Sequence, residues 1–373
     1  MIGSPDSRRS LKIAVQHYHK GELSQAEQIC FSILEQQPNQ VEALQLLGII
    51  ACKTGLLEEG IAHYQKVIAL KPDLAETYYN LGKALKEQGK FEEAIAHFQQ
   101  AIAKNTNFAE AEYNLGHTLQ QLGQIEEAIA CYNRVLQLNP QFIDARWNRA
   151  LALLLAGDFI QGFADYECRW QQAEFLKANP RPPYSQPVWD GTHLNGKTIL
   201  IHGEQGFGDA IQFIRYVPLI QQRGGRVMVG CRAPLLRLFS TISGIEKLVG
   251  SGGFIPEFDV YVPLMSLPHL LGTTLETIPA QIPYLAAPES KILLKTPPGT
   301  QKKVGMAWAA GNKDQSLLSQ RSCELSHFLP LLSTPGIAFY SLQKGPRVTD
   351  LEQLDDPKLL QDLNNQLRNF GDT

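Results

Sequence analysis

The stretch Tyr79-Asn-Leu-Gly82, followed by Gly89 and then by Glu92-Glu-Ala94, decides the fold of the first half of the chain. Its elements return at a constant interval of 34 residues, as one series of glycines shows: Gly21, Gly55, Gly89, Gly123 and Gly157. Within one interval, apolar residues recur twice at helical spacing. The sequence therefore predicts a stack of two-helix hairpins, each of which buries its apolar face against the next.

Small and large residues stand where such a stack needs them. Small residues allow the helices of one hairpin to approach closely: Gly48, Gly82, Gly116, Ala94 and Ala128. Large apolar residues fill the space between neighbouring hairpins: Leu47, Leu81, Leu115, Tyr64, Phe98 and Tyr132. The repeat length, the two-helix layout and the pattern Tyr-Asn-Leu-Gly…Gly…Glu-Glu-Ala…Phe resemble the tetratricopeptide repeat family.

This resemblance implies an α-helical hairpin solenoid, a tetratricopeptide superhelix, over residues 7–170. It also implies that the array binds a protein or peptide partner in its groove. We predict four well-formed repeats, followed by a fifth that decays after Gly157. The repeats start near Ser7, Val41, Ala75, Ala109 and Ile143.

Three asparagines, Asn80, Asn114 and Asn148, occupy one position of the repeat, directly before Leu-Gly or its equivalent Arg149-Ala150. A carboxamide offers two donors and an acceptor, so a ladder of them can hold an extended peptide backbone whatever its side chains are. In the arrays of O-linked N-acetylglucosamine transferases, which this region resembles, asparagines at this position line the concave groove. We predict that these three residues bind a peptide; the alternative is that they are simply solvated.

Composition limits the class of protein. The chain has 373 residues, 44% hydrophobic and 19% charged, as expected for a globular protein of two or three domains. No stretch reaches the roughly 20 apolar residues of a membrane span, and the start lacks the apolar core of a signal peptide, so we expect a cytoplasmic protein. The net charge of −3 argues against a general nucleic-acid-binding protein. The cysteines and histidines show no ligand spacing, so we expect no metal site.

A second region begins where the repeat ends, after Trp170. A proline-rich linker over residues 171–196 leads into an apolar strand (198–202), a glycine-rich turn (203–209) and a helix (211–220), the first βα unit of a doubly wound sheet. Further strands are predicted at residues 226–229, 258–262, 304–308 and 337–342, and further helices at residues 235–242 and 325–332.

Two phosphate-binding patterns lack the context that they need. Residues 191–198 match the letters of a Walker A motif, but a strand rather than a helix is expected to follow them. The glycines of residues 203–208 have a different spacing from the dinucleotide fingerprint, and Arg232 stands after the second strand in place of an acidic residue for a ribose. We therefore expect neither a P-loop hydrolase nor an NAD-dependent dehydrogenase.

The segment from Trp189 to Tyr216 resembles the start of the heptosyltransferase-like, two-lobed GT-B glycosyltransferase domain that is found behind bacterial tetratricopeptide arrays. The resemblance implies an acceptor-side lobe over residues 197–290 and a donor-side lobe over residues 303–373. We expect this second lobe to be incomplete, because the sequence stops after about two βα units and a doubly wound lobe generally needs five or six strands.

The same resemblance suggests site residues. In that family an aspartate beside the glycine turn is the proposed general base, and Asp209 matches it, with Gly206 and Gly208 in the substrate-facing turn. Arg321 and Lys344 lie near turns that in such folds approach the donor diphosphate. The alternatives are a helix cap for Asp209 and solvated surface charges for Arg321 and Lys344.

Two functions follow from the sequence. The first is a protein-interaction module fused to an incomplete glycosyltransferase region, from which we do not expect sugar transfer if the chain ends at residue 373. The second is an active glycosyltransferase that moves a sugar from a nucleotide-sugar donor to a protein or glycan acceptor presented by the array. Neither function calls for a cofactor other than that donor.

Overall fold

A computed structural model describes residues 5–289, 292, 294–309 and 322–372. Their contacts divide the chain into two compact units. The first unit extends to Arg181 and also includes Leu271–Ile278, and the second comprises Pro182–Leu270 and the residues from Pro279 onward.

The segment Leu271–Ile278 belongs to the helical unit, whereas its place in the sequence assigned it to the α/β region. Its Leu275 reaches the turn of the fifth hairpin, since a Cβ atom added to Gly157 would lie 3.1 Å from Leu275 Cδ1. No repeat pattern marks this segment, which explains why the sequence did not connect it with the array.

The described part of the first unit contains five helical hairpins. Their helices are α1 (Pro5–Lys20) and α2 (Leu23–Gln36), α3 (Val41–Lys53) and α4 (Leu57–Leu70), α5 (Ala75–Glu87) and α6 (Phe91–Lys104), α7 (Ala109–Gln121) and α8 (Ile125–Leu138), and α9 (Ile143–Ala156) and α10 (Phe159–Tyr166). A 3-10 turn over Glu167–Gln171 and the short helix α11 (Ala173–Ala178) follow. The predicted hairpin array is confirmed.

Glycines serve two separate purposes in this array. Gly89, in the turn between α5 and α6, has a φ of +78°, which glycine adopts without the steric cost that other residues incur. Gly82 lies between the two helices, where a Cβ atom would come within 2.7 Å of Cε1 of Phe98. The predicted close approach of the two helices is therefore confirmed.

The fifth hairpin has both of its helices, and the second one, after Gly157, is shorter than the second helices of the other hairpins. Helix α10 has 8 residues and begins after Asp158, whose Oδ1 accepts a hydrogen bond from the backbone N–H of Gln161 at 3.1 Å. An ion pair joins it to α9, with Arg149 Nε and Asp165 Oδ2 2.6 Å apart. The pattern fades because a cap and a charged pair replace the usual repeat residues, while the hairpin itself persists.

The first sheet of the second unit has four strands: β1 (Thr198–His202), β2 (Arg226–Cys231), β3 (Ile245–Gly250) and β4 (Val260–Pro263). Their order is β3-β2-β1-β4, and every pair is parallel. Strand β3 was not predicted, because it lies at the sheet edge and exposes Glu246 and Lys247, so it lacks the apolar run of a central strand.

Short helices connect these strands: α12 (Phe207–Phe213), α13 (Val217–Gln222), α14 (Leu236–Phe239) and α15 (Leu267–Leu270), with 3-10 turns at Ile214–Tyr216, Ala233–Leu235 and Leu264–Ser266. Since α12 begins at Phe207, Gly208 and Asp209 lie in its first turn and not in the predicted glycine-rich turn. Strand β1 directly follows the Walker A match, as expected, so that stretch lacks the helix a P-loop requires.

The second sheet contains β5 (Lys302–Met306), β6 (Ile337–Ser341) and β7 (Leu360–Asp362), again parallel and in the order β5-β6-β7. Helix α16 (Leu329–Leu332) and 3-10 turns at Leu325–Phe328 and Pro346–Gln353 accompany them. Strand β7 was not predicted because three residues are too few for an alternating pattern. The described residues thus contain one more strand here than the sequence indicated.

Candidate functional site

The first helix of each hairpin carries an exposed face opposite its buried one. The exposed or half-buried residues of α5 include Glu76, Tyr79, Asn80, Lys83, Lys86 and Glu87. They are three or four residues apart and therefore lie along one face of the helix. We call this set, together with the equivalent residues one repeat later on α7 and two repeats later on α9, the exposed stripe.

The exposed stripes of successive hairpins lie side by side. The first helices contact one another from hairpin to hairpin, in the pairs α1–α3, α3–α5, α5–α7 and α7–α9. The stripes therefore form one continuous surface across several repeats. Stacked helical hairpins use extended surfaces of this kind to bind partners.

Two of the three predicted asparagines are held in place by a tyrosine of the preceding repeat. Asn114 Nδ2 donates a hydrogen bond to Tyr79 Oη at 3.3 Å, and a second one to the backbone carbonyl of Glu110 at 2.9 Å. One repeat later, Asn148 Nδ2 donates to Tyr113 Oη at 3.0 Å. The two contacts are the same contact repeated at successive hairpin junctions.

Asn80 differs from the other two asparagines. The residue equivalent to Tyr79 one repeat earlier is Gln45, whose Nε2 donates instead to Thr77 Oγ1 at 2.9 Å. Within the described residues, the side chain of Asn80 makes no hydrogen bond. The structure therefore brings Asn114 and Asn148 into a common arrangement and leaves Asn80 outside it.

Each tyrosine–asparagine pair retains hydrogen-bonding capacity for a ligand. Asn114 donates two hydrogen bonds within the array and Asn148 donates one, and the Oδ1 of each accepts no hydrogen bond from the described residues. The tyrosine oxygen accepts from the asparagine, which leaves its own O–H free to donate. Each junction thus presents one donor and one acceptor, the pair of groups that matches a peptide unit.

Burial and nearby carboxylates keep these tyrosines protonated. Burial, and then the negative charge of Glu110, raises the pKa of Tyr79. Burial, and then Asp144, does the same for the pKa of Tyr113. Both hydroxyls therefore remain donors at neutral pH. The sequence interpretation missed these tyrosines, although Tyr79, Tyr113 and Trp147 form a 34-residue series that marks the position.

In the second unit, Asp209 takes part in helix capping. Its Oδ2 accepts a hydrogen bond from the backbone N–H of Gly206 at 3.0 Å, at the start of α12. A Cβ atom added to Gly208 would meet no atom within 4 Å, so packing does not require a glycine there. Gly203 is the constrained residue of this stretch, because its Cβ would lie 2.7 Å from the carbonyl oxygen of Gly230. A catalytic role for Asp209 stays a prediction.

Lys344 is bound to the backbone that follows β7. Its Nζ donates hydrogen bonds to the carbonyl oxygens of Asn364 at 2.8 Å and Leu367 at 3.0 Å. The neighbouring Gln343 is buried and joins strand ends: its Oε1 accepts from the backbone N–H groups of Trp308 and Ala309 at 3.0 and 2.9 Å. Arg321 lies outside the described residues. Donor binding by Lys344 or Arg321 stays a prediction.

The described part of the chain contains no group of three or more histidine, cysteine, aspartate or glutamate side chains placed to hold a metal ion. Nor does any helix within the described ranges have the length and apolar character that crossing a membrane demands.

Comparison with known proteins identifies the repeats. Tetratricopeptide repeat models match residues 39–105 and residues 85–154. Protein FlbA of Caulobacter vibrioides is 28% identical over 220 residues, covering 52% of this chain but only 36% of FlbA. The match thus spans about a third of that relative's length. The hairpins of residues 39–154 are tetratricopeptide repeats, which makes the array a protein-interaction module.

Two solved structures match less than half of the chain. A crystal structure of MamA is 30% identical and covers 43% of this chain and 95% of MamA, with a TM-score of 0.41. The structure of YrrB, described as a tetratricopeptide protein with an unusual peptide-binding site, is 19% identical and covers 45% of this chain and 89% of YrrB, with a TM-score of 0.40.

Proposed function

We propose that the first unit binds an extended peptide segment of a partner protein along the exposed stripe. The observation that carries this proposal is the repeated pair, Tyr79 with Asn114 and Tyr113 with Asn148. Each pair offers a donor and an acceptor to the peptide backbone. Contacts to backbone groups provide affinity for many sequences, and the neighbouring side chains then select among them.

Fixing the asparagines before binding lowers the entropic cost of association. An immobilised flexible side chain costs about 0.5–1.5 kcal/mol on binding, and a side chain already held by a tyrosine avoids part of that loss. Asn114 is held by two hydrogen bonds and Asn148 by its tyrosine. We therefore expect Asn114 and Asn148 to contribute more to peptide binding than Asn80.

The test is an array of unstructured peptides of varied sequence, probed with the purified chain. We expect Asn114→Ala combined with Asn148→Ala to weaken binding to most of the bound peptides by about tenfold, since two hydrogen bonds are lost at roughly 0.5–1.5 kcal/mol each. The matched control is Gln100→Ala, which removes a carboxamide from the exposed face of α6. Equal binding by the double variant and the control would contradict the proposal.

A second candidate function is transfer of a sugar from a nucleotide-sugar donor by the second unit, with Asp209 as the general base and Gly206, Gly208, Arg321 and Lys344 near the substrates. It is favoured by the strand order β3-β2-β1-β4, because α/β proteins bind ligands where the order reverses, here beside the carboxyl ends of β1 and β4. The test is calorimetric titration with a panel of nucleotide sugars. Saturable binding that Asp209→Asn or Lys344→Ala abolishes would support it.

A further inference from the structure

The exposed stripe changes chemical character along the array. One position of the repeat is occupied by Lys83 on α5, by His117 on α7 and by Leu151 on α9. The position four residues further along each helix is occupied by Glu87, Gln121 and Leu155. The surface thus passes from charged, through polar, to apolar over three consecutive hairpins. A ligand that crosses all three hairpins meets a different side-chain environment at each end.

The charged end carries two lysines without an ion-pair partner. Lys83 Nζ lies 5.5 Å from the ring centroid of Tyr79, and Lys86 is half-buried one helical turn further on. Among the described residues, neither of these lysines forms an ion pair within 4.0 Å, and Glu87 is the carboxylate beside them. The half-buried side chain has lost part of its hydration, and this burial lowers the pKa of Lys86. A carboxylate from a ligand would compensate for that lost solvation.

His117 extends this polar part of the stripe towards α9. Its Nδ1 is buried and has no hydrogen-bond partner among the described residues. Burial, and then the positive charge of Lys86, lowers the pKa of His117, so the ring is neutral at neutral pH. The half-buried, uncharged ring therefore separates the charged part of the stripe from its apolar part.

The apolar end carries two leucines on one face of α9. Leu151 is 37% exposed and Leu155 is 70% exposed, and their spacing of four residues places them side by side. Leu154, between them in sequence, packs instead against the glycine of α10, where a Cβ on Gly162 would lie 2.9 Å from Leu154 Cδ2. Leu151 and Leu155 are therefore available to a ligand.

The separation of the two ends sets the spacing that a ligand must have. Packed helices lie about 8–10 Å apart, so α5 and α9, two hairpins apart, are separated by roughly 20 Å. An extended chain advances about 3.3 Å per residue and crosses this distance in about six residues.

We propose that the exposed stripe binds an extended segment with an aspartate or glutamate beside Lys83 and Lys86 and a large apolar residue, about six residues away, on Leu151 and Leu155. The inference rests on the proposed peptide-binding function and adds the chemistry of the partner. The tyrosine–asparagine pairs hold the backbone between the two ends, and the ends fix the direction in which the segment lies.

The test is fluorescence anisotropy of the full chain with labelled synthetic peptides. The probes are Asp-Ser-Thr-Ser-Thr-Ser-Leu and its reversed sequence, so that both chain directions are covered. For the better probe, replacing Asp by Asn should weaken binding about fivefold, the upper range for an exposed ion pair. Replacing Leu by Ser should weaken it about tenfold through lost apolar burial. High salt should reduce the first difference and not the second.

Variants of the protein locate the two ends. Lys83→Glu with Lys86→Glu should reverse the preference, so that a probe with Lys in place of Asp binds better, while Lys66→Glu on the exposed face of α4 is the matched control. Leu155→Ser should remove the advantage of the leucine probe, and the control is Leu138→Ser, a leucine on α8 that is 40% exposed.

The outcomes separate the two proposals. If all probes bind equally and Asn114→Ala with Asn148→Ala weakens all of them, backbone binding stands and the acidic–apolar pattern is overturned. If the unmodified protein prefers the Lys probe, the pattern is also overturned, because the carboxylates of Glu76, Glu110 and Asp144 then dominate the surface. If the probes bind and the asparagine variants change nothing, the peptide-binding function itself fails.

Discussion

Asn80, Asn114 and Asn148 show how one residue type at one repeat position acquires different roles. All three are half-buried on the exposed stripe, yet only Asn114 and Asn148 meet a tyrosine hydroxyl. The difference depends on a residue about one repeat earlier, where Gln45 replaces a tyrosine. The sequence therefore located the asparagines, but their hydrogen bonds could be assigned only when the neighbouring hairpins were seen packed together.

Gly82 offers a test of packing inside one hairpin. We expect Gly82→Ala to destabilise the array by about 1–3 kcal/mol, because the new methyl group would overlap the ring of Phe98 and lies only 3.2 Å from the carbonyl oxygen of Ala94. The free energy of unfolding, measured with urea and far-UV circular dichroism, checks this. Gly208→Ala is the control, since its methyl group meets open space. An equal effect of the two substitutions would contradict the described packing.

His202 gives the second unit a dependence on pH. Burial lowers the pKa of His202 from its usual 6.5, and its Nδ1 lies 3.1 Å from Tyr184 Oη. The unfolded chain therefore takes up a proton at this residue before the folded chain does. This contribution to the free energy of unfolding is present above about pH 6.5, the pKa of the histidine in the unfolded chain. It is lost as the pH falls towards the lower pKa that His202 has in the folded chain.

The expected result is measured as a difference, because other histidines also titrate. The free energy of unfolding should fall less steeply between about pH 7 and pH 5 in His202→Gln than in the unmodified protein. Subtracting the two curves removes the contribution of the histidines that both proteins share. Parallel curves would show that the proton affinity of His202 is the same in the folded and unfolded chains.

At the scale of elements, the sequence predicted the periodic helices well and the short strands poorly. Helices α3, α5, α7 and α9 begin at the predicted repeat starts because several positions share one interval. Strands β3 and β7 were missed for different reasons: one is a half-exposed edge strand and the other has three residues. The segment Leu271–Ile278 joins the array through tertiary contacts that no local pattern announces.

The fifth hairpin depends on its ion pair more than on its cap. The side chains of Arg149 and Asp165 are only 17% and 10% exposed, so Asp165→Ala leaves a mostly buried guanidinium without its carboxylate. We expect a loss of about 3 kcal/mol in the free energy of unfolding of the array. Asp158→Ala, which removes the α10 cap, should cost about 1 kcal/mol. Hydrogen exchange in α10 would report both losses, and equal losses would rule out this ranking.

At the scale of the whole molecule, the two units differ in how far their function follows from their structure. The array has a continuous surface with repeated hydrogen-bonding pairs, and repeat models match it. In the second unit, the predicted residues Asp209 and Lys344 serve a helix cap and a backbone contact. Peptide binding is therefore the central claim for this chain, and sugar transfer remains the second candidate.

The most direct measurement is an NMR titration of the full chain, labelled with nitrogen-15 at its asparagines, with the Asp-Ser-Thr-Ser-Thr-Ser-Leu probe or its reverse. The account predicts that the side-chain amide signals of Asn114 and Asn148 shift as the probe binds, while those of Asn105 and Asn139, in the loops between hairpins, stay in place. Saturable probe binding that leaves the signals of Asn114 and Asn148 unmoved would contradict it.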